Sequence, residues 1–73
     1  MEKMKIKTIK LILWYCDKAI INLKNESYKE IIYDRKIHFM ALNDTDCFDI
    51  YIRGENDNYC FFYKSVTSIE VLE

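Results

Sequence analysis

Residues 46–63 read Asp46-Cys47-Phe48-Asp49-Ile50-Tyr51-Ile52-Arg53-Gly54-Glu55-Asn56-Asp57-Asn58-Tyr59-Cys60-Phe61-Phe62-Tyr63. From 46 to 53 the pattern alternates, with Phe48, Ile50 and Ile52 on one side and Cys47, Asp49, Tyr51 and Arg53 on the other. That is the period of a half-buried strand. An aromatic run at 59–63 follows a polar loop, 54–58, that holds the chain's one glycine. Together they read as a β-hairpin. With residues 54–58 as the loop, Arg53 faces Tyr59, Tyr51 faces Phe61 and Asp49 faces Tyr63, while Ile52 faces Cys60 and Ile50 faces Phe62. The second set is expected in the core. The first set, Asp49, Tyr51, Arg53, Tyr59, Phe61 and Tyr63, is the expected partner-binding face, because aromatic residues and Arg anchor interfaces. The competing expectation is that this face packs inside, against the amino-terminal strands.

Outward from the hairpin, turn residues cluster at Asp17-Lys18, Lys24 to Ser27, Asp34 to Lys36 and Asn43 to Asp46. Between them lie runs of Ile, Val, Tyr and Phe, which is strand composition. Ile37 to Leu42 is apolar on both faces apart from His38, which places that strand centrally in its sheet. Lys64 to Val66 reads as a short turn, and Ser68 to Leu72 as a closing strand with Ile69 and Val71 inward. Ser27-Tyr28-Lys29-Glu30 has the form of a capping box and predicts a single helical turn. The first third fits two templates. Ile9, Ile12, Leu13, Cys16, Ala19, Ile20 and Leu23 make a helical stripe, yet Ile9, Leu11 and Leu13 also alternate as in a strand. Isoleucines at 9, 12, 20 and 21 with Trp14 favour strands, and a helix leaves Leu11, Trp14, Tyr15 and Ile21 off its apolar side. Two strands, 5–15 and 19–24, are therefore expected.

The whole chain of 73 residues reads as a single small domain, 1–73. Its hydrophobic share of 51%, with one glycine and no proline, excludes disordered, collagen-like and linker sequence. Ile, Lys, Tyr, Asn and Phe dominate while Gly, Ala, Arg and Pro are scarce, a composition of AT-rich genomes such as those of phages and mobile elements. Net charge is −1, but residues 1–36 sum to +4 (nine Lys/Arg, five Asp/Glu) and residues 37–73 to −5 (two against seven). The two halves attract one another, and a near-neutral total disfavours a dedicated non-specific nucleic-acid binder, which needs a cationic excess.

Catalytic signatures are missing. No Gly-rich loop exists to cradle a phosphate, and no nucleophile sits in an elbow or a C-x-x-C pair. Cys16, Cys47 and Cys60 with one histidine give no disulfide framework and no zinc spacing, so reduced thiols in a cytosol are expected. His38 as a base for Cys47 or Cys60 is less economical than His38 as a satisfied core residue. Asp44-Thr45-Asp46 with Glu55 in the twelfth position imitates a calcium loop, but Phe48 and Asp49 occupy its fifth and sixth positions, where an oxygen ligand and a glycine belong. No cofactor and no metal are expected. No apolar run is long enough to cross a bilayer, and Met1 to Lys10 lacks the form of a signal peptide. Lys3, Lys5 and Lys7 read as a solvated basic edge that resists strand pairing.

The segments Ile9-Lys10-Leu11-Ile12-Leu13 and Ile20-Ile21-Asn22-Leu23, and the ending from Phe62 to Val71 with a turn before the last strand, resemble the small SH3-like and Sm-like barrel proteins of bacterial and phage genomes. The expected fold is thus all-β or β-rich α+β, an antiparallel curved sheet or small barrel of five or six short strands. The expected function is non-enzymatic binding of another protein, with self-association and in the cytoplasm. A phage or mobile-element inhibitor that occludes a host or defence enzyme fits that description. The alternative is an oligomeric Sm-like nucleic-acid or nucleotide binder, with Lys5, Lys7, Arg35 and Arg53 on phosphates and tyrosines stacked on bases.

Overall fold

Each strand of this chain has one apolar face to hide, and no strand of five or six residues is stable alone. In the computed structural model, which describes residues 4–25 and 27–73, six strands solve the problem as two antiparallel three-stranded sheets. Helix α1 (Ile6–Tyr15) leads into β1 (Lys18–Leu23), β2 (Glu30–Asp34), β3 (His38–Leu42), β4 (Cys47–Ile52) and β5 (Asn58–Phe62); a 3-10 turn, Tyr63–Ser65, then precedes β6 (Val66–Val71). The first sheet has the order β2-β1-β6 and the second β3-β4-β5. Among the described residues strand outweighs helix, 48% against 19% with the 3-10 turn included, which makes this a β-rich α+β fold; the two sheets do not close into a barrel.

The inner faces of both sheets and one side of α1 form a single core. Ile9 and Leu13 from the helix meet Ile21, Ile31, Phe48, Ile50, Phe61 and Val66, all nearly or fully buried. Phe48 lies opposite Phe61 across the β4–β5 ladder, and their rings stack at 5.6 Å. His38 is buried with them, and its Nδ1 accepts the Asp34 backbone N–H at 3.1 Å. That contact links β3 to the turn before it.

Residues 5–15 are not a strand. The helix forms because Ile6, Ile9, Leu13 and Cys16, spaced by three and four, fall on one side. Its intrinsic support is poor: Lys5 at its start makes no side-chain cap, and no acidic residue lies in its first turn. Ten residues with four β-branched side chains, on Ile6, Thr8, Ile9 and Ile12, would not hold a helix in water. Burial of Ile9 and Leu13 holds it here. The basic edge expected at Lys5 and Lys7 is accordingly a helix start, and Lys3 lies outside the described residues.

The hairpin is where expected, but its register is not. Cys47 pairs with Phe62, Phe48 with Phe61, Asp49 with Cys60, Ile50 with Tyr59 and Tyr51 with Asn58. The loop is one residue shorter at its base: the Ile52 N–H points to Asp57 O, the Glu55 N–H donates to Ile52 O at 3.1 Å, and Gly54 takes φ +80. Residues 53–56 turn the chain. The odd shift in register reverses the faces of β5 relative to β4, so Phe61 is 3% exposed and Phe62 40%.

Three smaller differences follow from packing. β3 is an edge strand of its sheet rather than a central one, which leaves Phe39 exposed. Ser27 to Glu30 makes no helical turn, because Asn25 Oδ1 takes the backbone N–H groups of Ser27 and Tyr28 at 2.8 and 2.9 Å. The last strand begins two residues early, and Val66, paired with Leu23, is its buried anchor, whereas Val71 is exposed.

Phe61→Ala removes the ring stacked on Phe48 and should destabilise the fold by roughly 3–5 kcal/mol. Phe62→Ala, on the outer face, should change stability by about 1 kcal/mol or less. Urea unfolding of both variants measures the difference, and equal losses would contradict this register.

Candidate docking site

The six residues expected to share a partner-binding face do not share one. Asp49 and Tyr51 project from the outer face of β4, with Arg53 just beyond its end, whereas Tyr59 and Phe61 point into the core from β5. Tyr63 sits in the 3-10 turn, where its N–H donates to Asp46 O at 3.2 Å and its ring meets Phe62 edge-on. The outer face of the second sheet therefore combines Asp49, Tyr51 and Arg53 with Phe39, Asn58, Cys60 and Phe62. On it the Phe39 and Tyr51 rings stack at 5.0 Å, and the Arg53 guanidinium carbon lies 5.4 Å from the Phe39 centroid. Asn58 Nδ2 donates to Asp49 Oδ1 at 2.9 Å.

A second surface comes from the helix that the strand reading missed. Leu11, Trp14 and Tyr15 are 49%, 62% and 74% exposed on the side of α1 opposite Ile9 and Leu13. With Lys10 they frame a shallow open groove. Trp14 also borders a separate cavity of about 150 Å³, floored by Leu13, Tyr33 and Met40 and walled by Arg35, Phe39 and Arg53. Among the described residues that line this cavity there is no carboxylate.

Backbone bonds fix both arginines in place. Asp34 Oδ1 accepts the Lys36 N–H at 2.9 Å and Asp34 O the Ile37 N–H at 2.9 Å, which closes the tight turn from β2 into β3. The Arg35 N–H donates to Asp17 O at 2.9 Å, and the Arg53 N–H to Ile37 O at 2.7 Å. Both guanidinium groups act on the Tyr33 phenol. Burial raises the pKa of that phenol above its ordinary value, Cys16 adds to the rise, and Arg35 and Arg53 oppose it. Arg35 and Trp14 were legible as an Arg in a turn and as an aromatic off the helical stripe. Their meeting was not legible, because it depends on where the helix packs.

His38 and the thiols of Cys47 and Cys60 lie on opposite faces of the second sheet. The His38 ring faces Tyr33 and Tyr59 inside the sheet, at 6.0 and 6.4 Å between centroids, while Cys47 and Cys60 belong to its outer face. Burial raises the Cys16 thiol above its usual range. The Cys60 thiol is pushed up to about 11, first by partial desolvation of its sulfur on the outer face and then by the Asp49 carboxylate, which holds the proton on sulfur. The calcium-like spacing has no loop to act through: Asp44 and Glu55 stand at opposite ends of β4. Among the described residues no helix is long and apolar enough to cross a membrane.

Comparison with known proteins finds no family model, no curated protein and no solved structure that matches this chain. The reading of the site rests on its geometry.

Because thiolate is the reacting species, a thiol pushed up to about 11 should be alkylated slowly near neutral pH. In a Cys47→Ser background, Cys60 should react with iodoacetamide at about pH 8 roughly tenfold more slowly than in the urea-unfolded chain, after allowance for the higher nucleophilicity of a more basic thiolate. Asp49→Asn should speed the reaction. Mass-spectrometric labelling kinetics decide both points.

Proposed function

We propose that this chain is a small cytosolic protein-binding module without catalysis of its own, which engages its partner through the outer face of α1 and the adjoining cavity. The observation that carries the reading is the exposure of Leu11, Trp14 and Tyr15 on a helix whose other side is fully buried. A contiguous apolar patch rimmed by charge on a protein this small marks an interaction surface. Trp, Tyr and Arg are also the residues that dominate interface energetics. Such a module acts by occlusion. The inhibition of a host or defence enzyme by a phage or mobile-element accessory protein is the setting that suits its size and composition.

The alternative, a nucleic-acid binder, draws some support from Arg35 and Arg53 at one cavity. Of the other two cations assigned to it, neither lines that cavity, although Lys7 shares the helix face of Leu11 and Trp14. Lys7 lies in the first turn of α1, about 10 Å along the axis from Trp14, and Lys5 precedes the helix. A net charge of −1 gives little counterion release to drive such binding.

A photo-cross-linking residue in place of Leu11, expressed in the native host, should capture a different protein, and Trp14→Ala in the same chain should abolish capture without lowering the melting temperature. Capture that is equal from position 11 and from the distant position 68 on β6 would overturn the reading.

Self-association is assigned to another surface, the outer face of the first sheet, where Ile20 pairs with Ile32 and Ile32 is 61% exposed. Light scattering at micromolar concentration should return a multiple of 8.9 kDa, and Ile32→Lys should return the single-chain mass. A single-chain mass for the unaltered protein would remove self-association from the proposal.

A further inference from the structure

The cavity beside Trp14 is lined by two arginines, Arg35 and Arg53, and by no carboxylate, while the acids nearest to Arg35, Asp17, Asp34 and Glu73, border a different cavity. Like charges at one small cavity repel, and the repulsion is strongest where solvent is partly excluded. An anion between them removes it. Arginine is suited to this, because its planar fork meets a carboxylate with two parallel N–H donors even while its face rests on an aromatic ring, as Arg53 rests on Phe39.

Size restricts the choice of anion. At about 150 Å³ the cavity is smaller than the roughly 300–1,000 Å³ of small-molecule and cofactor sites, and it has room for one side chain. The groove of Lys10, Leu11, Trp14 and Tyr15 adjoins it and shares Trp14. The first position suits an acid and the second an apolar side chain. Resting on the protein-binding reading given above, we propose that the partner contributes a peptide segment in which a Glu or Asp carboxylate enters the Arg35–Arg53 cavity while a neighbouring apolar side chain lies on Leu11 and Trp14.

A nucleic-acid strand fits the same surface less well. Its stacking platforms would be Trp14 and Phe39, but the Phe39 ring is already stacked on Tyr51 and approached by Arg53. A backbone of phosphates running past Arg53 also meets Glu55 and Asp57 in the neighbouring loop, whereas a single carboxylate stops at the arginines.

Trp14 is the chain's one tryptophan, so its fluorescence reports directly on this site. Three probes are titrated into the full chain: a decapeptide of alternating leucine and glutamate pairs, the same peptide with glutamine for glutamate, and an oligodeoxythymidylate of similar length. The glutamate peptide is expected to shift the emission saturably and to bind about tenfold or more tightly than the glutamine peptide. Arg35→Gln and Arg53→Gln, both at exposed positions, are each expected to weaken the glutamate peptide by a similar factor without changing the melting temperature. Equal binding of the two peptides, or arginine variants that bind as the unaltered chain does, would overturn the proposal. Tighter binding of the oligonucleotide, lost in the arginine variants, would overturn it in favour of nucleic acid. If the peptides fail while cross-linking from position 11 still captures a protein, the docking surface stands and its carboxylate specificity falls. If both fail, the protein-binding reading falls with it.

Discussion

A chain of 73 residues can cover each of two three-stranded sheets on one side only, and this constraint governs the rest of the molecule. Both inner faces are spent on one core. The helix completes it, since Ile9 and Leu13 are buried to 0% and 1% while α1 lacks a side-chain cap and a favourable charge in its first turn. Its hydrogen bonds are local, but its stability is borrowed from the sheets. Apolar residues that could not be placed inward then stay in solvent, among them Ile32 on the first sheet, Phe39 and Phe62 on the second, and Leu11, Trp14 and Tyr15 on the helix. Exposed apolar surface on so small a protein is a direct consequence of its geometry.

The β-rich character was legible because strands announce themselves locally. Alternation over 46–53 put Phe48 and Ile50 in the core, where they lie fully buried, and the turn residues at Asp34 to Lys36 and Asn43 to Asp46 mark where the chain reverses. Register was less legible, because it depends on how many residues the loop after Ile52 takes up. The conformation of Gly54 and the bond from Glu55 N–H to Ile52 O settle that number, and neither leaves a trace in the hydrophobic pattern. One residue fewer in the loop was enough to exchange Phe61 for Phe62 at the core.

The helix shows a different limit. Leu11, Trp14 and Tyr15 do lie off the apolar stripe, as a helical reading requires, and they count against a helix only if each of them needs burial. That condition assumes that apolar residues must be buried, whereas a large part of any protein surface is apolar. The same three residues are the most informative in the chain once exposure is accepted. Of the expected binding face, Tyr51 and Arg53 remain on the outside and Arg53 reaches the cavity, whereas Phe61 is part of the core. No spacing rule links Arg53 to Arg35 and Trp14, because the three come from different elements joined only by packing.

The charge asymmetry along the chain gains a structural meaning from that packing. Arg53 is one of two cations in the half that sums to −5, and the fold carries it to Arg35 at the end of the half that sums to +4. Glu55 and Asp57 follow Arg53 in its loop and Glu73 borders a second cavity with Arg35, but the other acids of its own half are placed elsewhere. Asp44 and Asp46 turn the chain at the far end of β4, Glu70 pairs with Ile20 on the first sheet, and Asp49 is held by Asn58 on the outer face of the second. A net charge close to zero is thus compatible with a locally cationic cavity, since fields at a surface are set by the groups nearest to it and are screened within about 10 Å at ordinary ionic strength. The balance that disfavours a long polyanion as partner leaves a single carboxylate attractive. For that reason the overall composition and the local geometry point to the same class of ligand.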